Sequence, residues 1–335
     1  MKISVVTPLY KSERNIEKFH HRSITALQAA GAASYEIIFV NDGSPDESLD
    51  IAKRVAARDP SVTVIDLSRN FGQHAALMVG LARSSGDFVF ILDSDLEEEP
   101  EWLVPFLSEL TKTECDVVYG VNTNIKGGYI YTACRRIFYK TLNVLSSADF
   151  PENTCTARLM TRRYVDAFLQ FRERELFMAG VWHMTGFVQR SVKVLKLDSS
   201  PTTYSFGKLM ANFVNAVTAF SIRPLVAIFV SGIALSIVAF IYLATITLRK
   251  VLYDVAVEGW ASVMSVVLII GGISLLFNGV MAIYIAKIFI EVKGRPRSII
   301  REIHEGTGHE RPTADAVPHT RGEHERERNE VGLIR

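Results

Sequence analysis

The chain has 335 residues, a formal net charge of +1, 48% apolar residues and 22% charged residues. A balanced charge leaves no electrostatic footprint for nucleic acid, and this composition excludes fibrous and disordered classes. Three cysteines, at 115, 134 and 155, are too few for a disulfide scaffold and match no zinc spacing, so they read as cytosolic thiols.

The opening MKISVVTPLY is too short an apolar run for a signal peptide and leads into a strand pattern. Residues 2–7 predict a buried strand that stops at Pro8, and residues 12–30 a helix with Ser12 as its N-cap. The run 36–40 predicts a second strand, closed by the turn cluster Asn41-Asp42-Gly43-Ser44, and a helix follows from about Pro45. Residues 62–67 predict a third strand, 72–84 a helix, 87–92 a fourth strand, Pro100 the start of another helix and 116–121 a fifth strand. This alternation predicts βαβ units, hence an α/β fold with a mostly parallel, doubly wound sheet. Ligands bind such sheets at the carboxyl ends of the strands. That rule selects Pro8 to Glu13, Asp42 and Asp93 to Glu97.

Further along, residues 129–146 predict an amphipathic helix carrying Arg135, Arg136 and Lys140, and residues 204–222 a second one with apolar residues at three-to-four spacing. The second helix runs into two windows without charge, 225–248 and 261–286. As helices at ~1.5 Å per residue, each exceeds the ~30 Å of a bilayer core. Lys208, Arg223, Lys287, Lys293, Arg295, Arg297 and Arg301 flank this hairpin, against Arg249 and Lys250 in its loop. The positive-inside rule then places both termini in the cytoplasm. The expected organisation is a cytoplasmic catalytic domain (1–203), an interfacial helix (204–223), a transmembrane hairpin (224–290) and a disordered polar tail (291–335). The four histidines at 304, 309, 319 and 324 are read as part of that solvated tail.

The sharpest local signal is Asp93-Ser94-Asp95-Leu96-Glu97-Glu98-Glu99-Pro100, directly after a buried strand. Two carboxylates one residue apart at a strand end repel each other, and a divalent cation shared with a diphosphate removes that cost. Hard oxygen ligands suit Mg²⁺ or Mn²⁺. Glu98 and Glu99 are read instead as an acidic helix start. Asp42 reads either as an acceptor for a base or ribose donor, or as a turn residue bonding local backbone.

VVTPLYKSERNI, EIIFVNDGSPDES, DLSRNFGQHAALMVGL and ILDSDLEEEPEWL, in this order, resemble the membrane-bound polyprenyl-phosphate glycosyltransferases of glycosyltransferase family 2. The similarity continues through RRIFYKTLNVLS, ARLMTRR and the two apolar windows, covering about residues 1–295. It implies an A-type glycosyltransferase fold. By that likeness Pro8, Tyr10 and Glu13 line a nucleotide pocket, Asp42 contacts the base, Asp93 contacts the nucleotide and Asp95 binds the metal. Glu97 stands where relatives commonly have a Gln that assists the metal, and Thr156 where they often have Asp. Arg136 and Arg158 match basic positions that grip acceptor or donor phosphates, with Asp93, Asp95 and Arg158 as the catalytic set.

The resemblance implies inverting transfer from a nucleotide-diphosphate sugar to undecaprenyl or dolichyl phosphate at the inner face of the plasma membrane, by a multi-pass homo-oligomer. No carboxylate base stands out downstream of the metal motif. That fits a phosphate acceptor, which is already largely a dianion at pH 7. The rival readings are a membrane transferase using another lipid or a polysaccharide as acceptor, and a catalytically degenerate partner subunit.

Overall fold

Each of the five apolar runs becomes a strand. A computed structural model describes residues 1–123, 153–171, 173, 178–196, 223–253 and 259–306. The strands are β1 (Lys2–Leu9), β2 (Ser34–Asn41), β3 (Val62–Leu67), β4 (Phe88–Ile91) and β5 (Val117–Asn122), joined by β6 (Thr154–Thr161), β7 (Gln189–Val194) and β8 (Ile300–Glu305). They form one sheet in the order β7-β5-β6-β4-β1-β2-β3-β8. β1 pairs in parallel with β2 and β4, β2 with β3, and β5 with β7. β6 runs antiparallel between β4 and β5, and β8 runs antiparallel to β3. The mostly parallel, doubly wound sheet is therefore present, with two reversed strands.

Near-continuous apolar runs make such strands bury both faces. Val5, Phe39, Val64 and Phe90 point to one layer, which holds α1 (Ile16–Ala29), α2 (Ser48–Ala56) and α4 (Leu103–Thr113). Val6, Val40, Ile65 and Ile91 point to the other, which holds α3 (Gln73–Arg83), α5 (Arg162–Phe168) and α6 (Met178–Met184). Gly80 lets α3 lie close to the sheet, since a Cβ there would fall 2.3 Å from a Val6 methyl.

Three sequence expectations need correction. α1 begins at Ile16 with Asn15 at its N-cap position and no side-chain cap. Ser12 does not cap it, because its hydroxyl is buried and bonded 2.8 Å from that of Ser94. α2 begins at Ser48 rather than near Pro45, because Asp46 takes the N–H and hydroxyl of Ser48 in a local turn. Residues 300–305 are not disordered tail. They satisfy the open backbone edge of β3, an edge that otherwise invites pairing with another chain.

Two helices are long and apolar enough to cross a membrane, α7 (Arg223–Tyr253) and α8 (Trp260–Val292). Both extend beyond the charge-free windows and contact each other. Phe240, Leu275 and Val292 are among many large apolar side chains they leave exposed. The expected helices at 129–146 and 204–222 lie outside the described residues, as do residues 307–335.

Candidate active site

At the carboxyl ends of β1, β2, β3 and β4 the loops enclose a crevice of about 310 Å³. Pro8 lines it from the end of β1 and Tyr10, Lys11 and Ser12 just after that strand, Asp42 after β2, Asn70, Gly72 and Gln73 after β3, and Asp93, Ser94 and Asp95 after β4. Of the residues selected from sequence, it brings together Pro8, Tyr10, Asp42, Asp93 and Asp95. Glu13 stands apart from the lining. Its Oε2 accepts from Glu47 N–H and its own N–H donates to Asp46, both at 3.3 Å.

The loops are cross-tied by buried polar groups. Ser94 Oγ donates to Pro8 O at 3.1 Å and meets Ser12 Oγ, which fixes the β1 and β4 loops together. Asp42 is 2% exposed, and its two oxygens accept from Phe71 N–H at 2.7 Å and Gly72 N–H at 2.9 Å. Asp42 thus bonds the backbone of a loop 29 and 30 positions further along rather than that of its own turn, and it shapes the loop that carries Asn70 and Gln73. Gln73 Nε2 donates to Asp93 Oδ1 at 2.5 Å.

Carboxylates converge behind the crevice. Burial, followed by the charges of Glu98 and Asp95, pushes Asp93 up to about 7. Burial also raises Asp95, whose Oδ1 accepts from Glu97 N–H at 2.9 Å. Glu98 is fully buried, its oxygens accepting from Thr156 N–H at 2.9 Å and Ala157 N–H at 2.7 Å. It anchors the start of β6 rather than serving as a helix-start charge. Glu99 pairs with Arg22. Lys196, just after β7, lies 3.3 Å from Glu97 and 3.6 Å from Glu98.

A divalent ion fits this chemistry in part. Among the described residues no three His, Cys, Asp or Glu side chains are arranged to hold a metal ion by themselves. The protein therefore offers a partial set of hard oxygens, centred on Asp95, of the kind a diphosphate and waters complete around Mg²⁺ or Mn²⁺. Glu97 faces Lys196 through its Oε2.

Arg158 sits on β6 opposite Ile91 and Tyr119. It is 2% exposed, with its guanidinium carbon 3.2 Å from the Trp182 ring centroid and 5.4 Å from that of Tyr119. Among the described residues its Nε and Nη1 have no hydrogen-bond partner, nor does Trp182 Nε1. Burial lowers the guanidinium pKa to about 10. A buried guanidinium with such donors has the chemistry to pair with an anionic oxygen. Arg136 lies outside the described residues.

Sequence reasoning missed Gln73, Asn70, Lys196 and Trp182, and it gave Glu98 a helix-start role in place of its bonds to β6. Asn70 and Gln73 were reachable by the strand-end rule applied to β3. Lys196 was not, because QRSVKV carries no apolar run to mark β7.

Residues 4–169 match the profile of glycosyl transferase family 2. A Mycobacterium tuberculosis protein, named as a glycosyltransferase without a stated substrate, is 42% identical over 91% of this chain and 89% of its own. The uncharacterised glycosyltransferase YkcC of Bacillus subtilis is 32% identical over 89% of this chain and 93% of its own. The bactoprenol glucosyl transferase of Shigella phage SfII is 32% identical over 91% of this chain and 99% of its own.

Proposed function

The chain belongs to glycosyltransferase family 2 and is a glycosyltransferase, and from that premise we propose that it transfers a sugar from a nucleotide-diphosphate donor to a polyprenyl phosphate. The observation that carries this reading is the pairing of two features. One is an acidic crevice at the strand ends, built around Asp42, Asp93 and Asp95. The other is a pair of exposed apolar helices in the same chain. A prenyl tail cannot leave the bilayer, so an enzyme acting on it must work at the membrane surface. The two helices supply that location, with the catalytic domain and both termini on the cytoplasmic side.

In this account the nucleotide lies along Pro8, Tyr10 and Asp42, with its diphosphate near Asp93 and Asp95. A bound divalent cation, Mg²⁺ or Mn²⁺, supplies charge stabilisation to the departing diphosphate, with Asp95 and Glu97 as its protein ligands. Arg158, and Arg136 from the preceding segment, orient phosphate groups through planar donors. A lipid-phosphate oxygen forms a bond to the anomeric carbon while the bond from that carbon to the nucleotide's terminal phosphate breaks. The electron pair leaves with the nucleoside diphosphate, and the anomeric configuration inverts. The attacking oxygen is already ionised, so no general base is required.

The test compares wild type with Asp95→Asn for nucleoside diphosphate release that depends on prenyl phosphate, with and without added Mg²⁺. Loss of at least about a hundredfold in the variant is expected, a size common for lost transition-state charge stabilisation. Undiminished release in Asp95→Asn would remove the metal assignment.

A further inference from the structure

The chain that follows the apolar helix pair returns to the rim of the crevice. Ser68 N–H donates to Ile299 O at 2.8 Å, and Arg301 Nη2 donates to Ser68 O at 2.6 Å. Arg301 Nη1 donates to Asp66 Oδ2 at 3.2 Å. Asp66 is 2% exposed, and its other oxygen accepts from Asn41 Nδ2 at 2.7 Å. Asn41 immediately precedes Asp42, whose oxygens hold Phe71 and Gly72.

Loop 68–72 is therefore gripped from two sides, by Asp42 from within and by residues 299–301 from without. The fit between turn and loop is close. Gly43 has φ +60°, and a Cβ there would lie 2.5 Å from Asn70 N. The same loop gives Asn70 and Gly72 to the crevice wall and leads into Gln73, which reaches Asp93.

The two ends of β8 differ in what they touch. Its register puts Ile300 beside Leu67, at the crevice end of β3, and Glu305 beside Thr63, at the far end. Glu305 pairs with Arg83 at 2.5 Å, away from the pocket. One strand thus carries two charged anchors, and only Arg301 connects to the crevice wall.

We propose that β8 is a working part of the donor pocket and that Arg301 is its positioning residue, holding Asp66 and the 68–72 loop in the geometry that receives a nucleotide. The inference rests on the reading of the crevice as the donor site and extends it to a strand beyond the apolar helices. A guanidinium suits the position because its fork donates to two acceptors on two residues at once, which a lysine ammonium cannot do in the same geometry. Through residues 293–299 the pocket wall is tied to the end of α8.

The test uses the full chain in detergent with Arg301→Ala, Arg301→Lys and Glu305→Gln. It reads hydrogen exchange of the amides in 68–74, the affinity for UDP with Mg²⁺ as probe, and the melting temperature. Arg301→Ala is expected to speed exchange in that loop and to weaken UDP binding, each about tenfold. Arg301→Lys should recover part of both. Glu305→Gln should leave both within about twofold, as for an ordinary surface change. The proposal is overturned if Arg301→Ala leaves loop exchange within about twofold of wild type. It is equally overturned if Glu305→Gln loosens the loop as much, since β8 is then only a scaffold. Should Arg301→Ala fail to fold, Arg301→Lys against Glu305→Gln decides by the same criteria. Wild type that binds no UDP would count against a uridine donor, while loop exchange still decides the role of Arg301.

Discussion

Replacing Glu98 with glutamine tests how the active-site loop is held to the sheet. The carboxylate is fully buried and accepts two backbone N–H groups of β6, from Thr156 and Ala157, with Lys196 3.6 Å away. Burial pushes the carboxyl pKa up, yet two donors and a nearby ammonium suit its ionised form. A glutamine keeps one acceptor and turns an NH₂ group toward the other N–H, leaving a buried donor unpaired at about 1–3 kcal/mol. Loss of the partly exposed Lys196 contact adds at most about 1 kcal/mol. The sum is about 1–4 kcal/mol, or roughly a 2–16 °C fall in melting temperature for a domain of this size. Glu99→Gln, which loses only a surface pair with Arg22, should shift it by no more than about 4 °C. Thermal unfolding of both variants in one detergent is the assay. Because β6 also carries Thr156 and Arg158, transfer should fall in the Glu98 variant as well. A Glu98→Gln protein that melts with wild type and keeps its activity would refute the anchoring role.

Gly43→Ala should weaken nucleotide binding more than it lowers stability, because its methyl presses on Asn70 in the crevice wall; isothermal titration with UDP beside a melting curve checks this. Arg158→Lys should cut transfer at least about tenfold at saturating donor, since a lysine loses both the Trp182 stack and the fork, and steady-state kinetics would show it. Burial raises the Glu36 carboxyl, but hydrogen bonds from Ser4, Ser85 and Lys2 outweigh it and hold it below 4.5. Its stabilisation is present above the unfolded pKa and disappears as pH falls through the folded one. The gap in melting temperature between wild type and Glu36→Gln should therefore be full at neutral pH and shrink below about pH 4.5.

Much of the fold was legible because buried parallel strands read as unbroken apolar runs. KISVVT, EIIFV, VTVIDL, DFVFIL and DVVYGV all became strands. β6 was obscured by Arg158, a charge placed where a strand reading expects an apolar residue. β8 was obscured by its surroundings, since IREIHE lies at the start of a strongly charged tail and only its contact with β3 reveals it. Site residues after β1, β2 and β4 followed from the strand-end rule. The tie from Arg301 through Asp66 to Asn41 spans more than 230 positions and leaves no local pattern.

The most direct measurement is mass spectrometry of the lipid after the purified full chain is incubated with a prenyl phosphate, Mg²⁺ and a panel of nucleotide-diphosphate sugars. The account predicts a prenyl phosphate carrying a single sugar with at least one donor, and none from Asp95→Asn. Unmodified lipid with every donor, or a product bearing a sugar polymer, would contradict it.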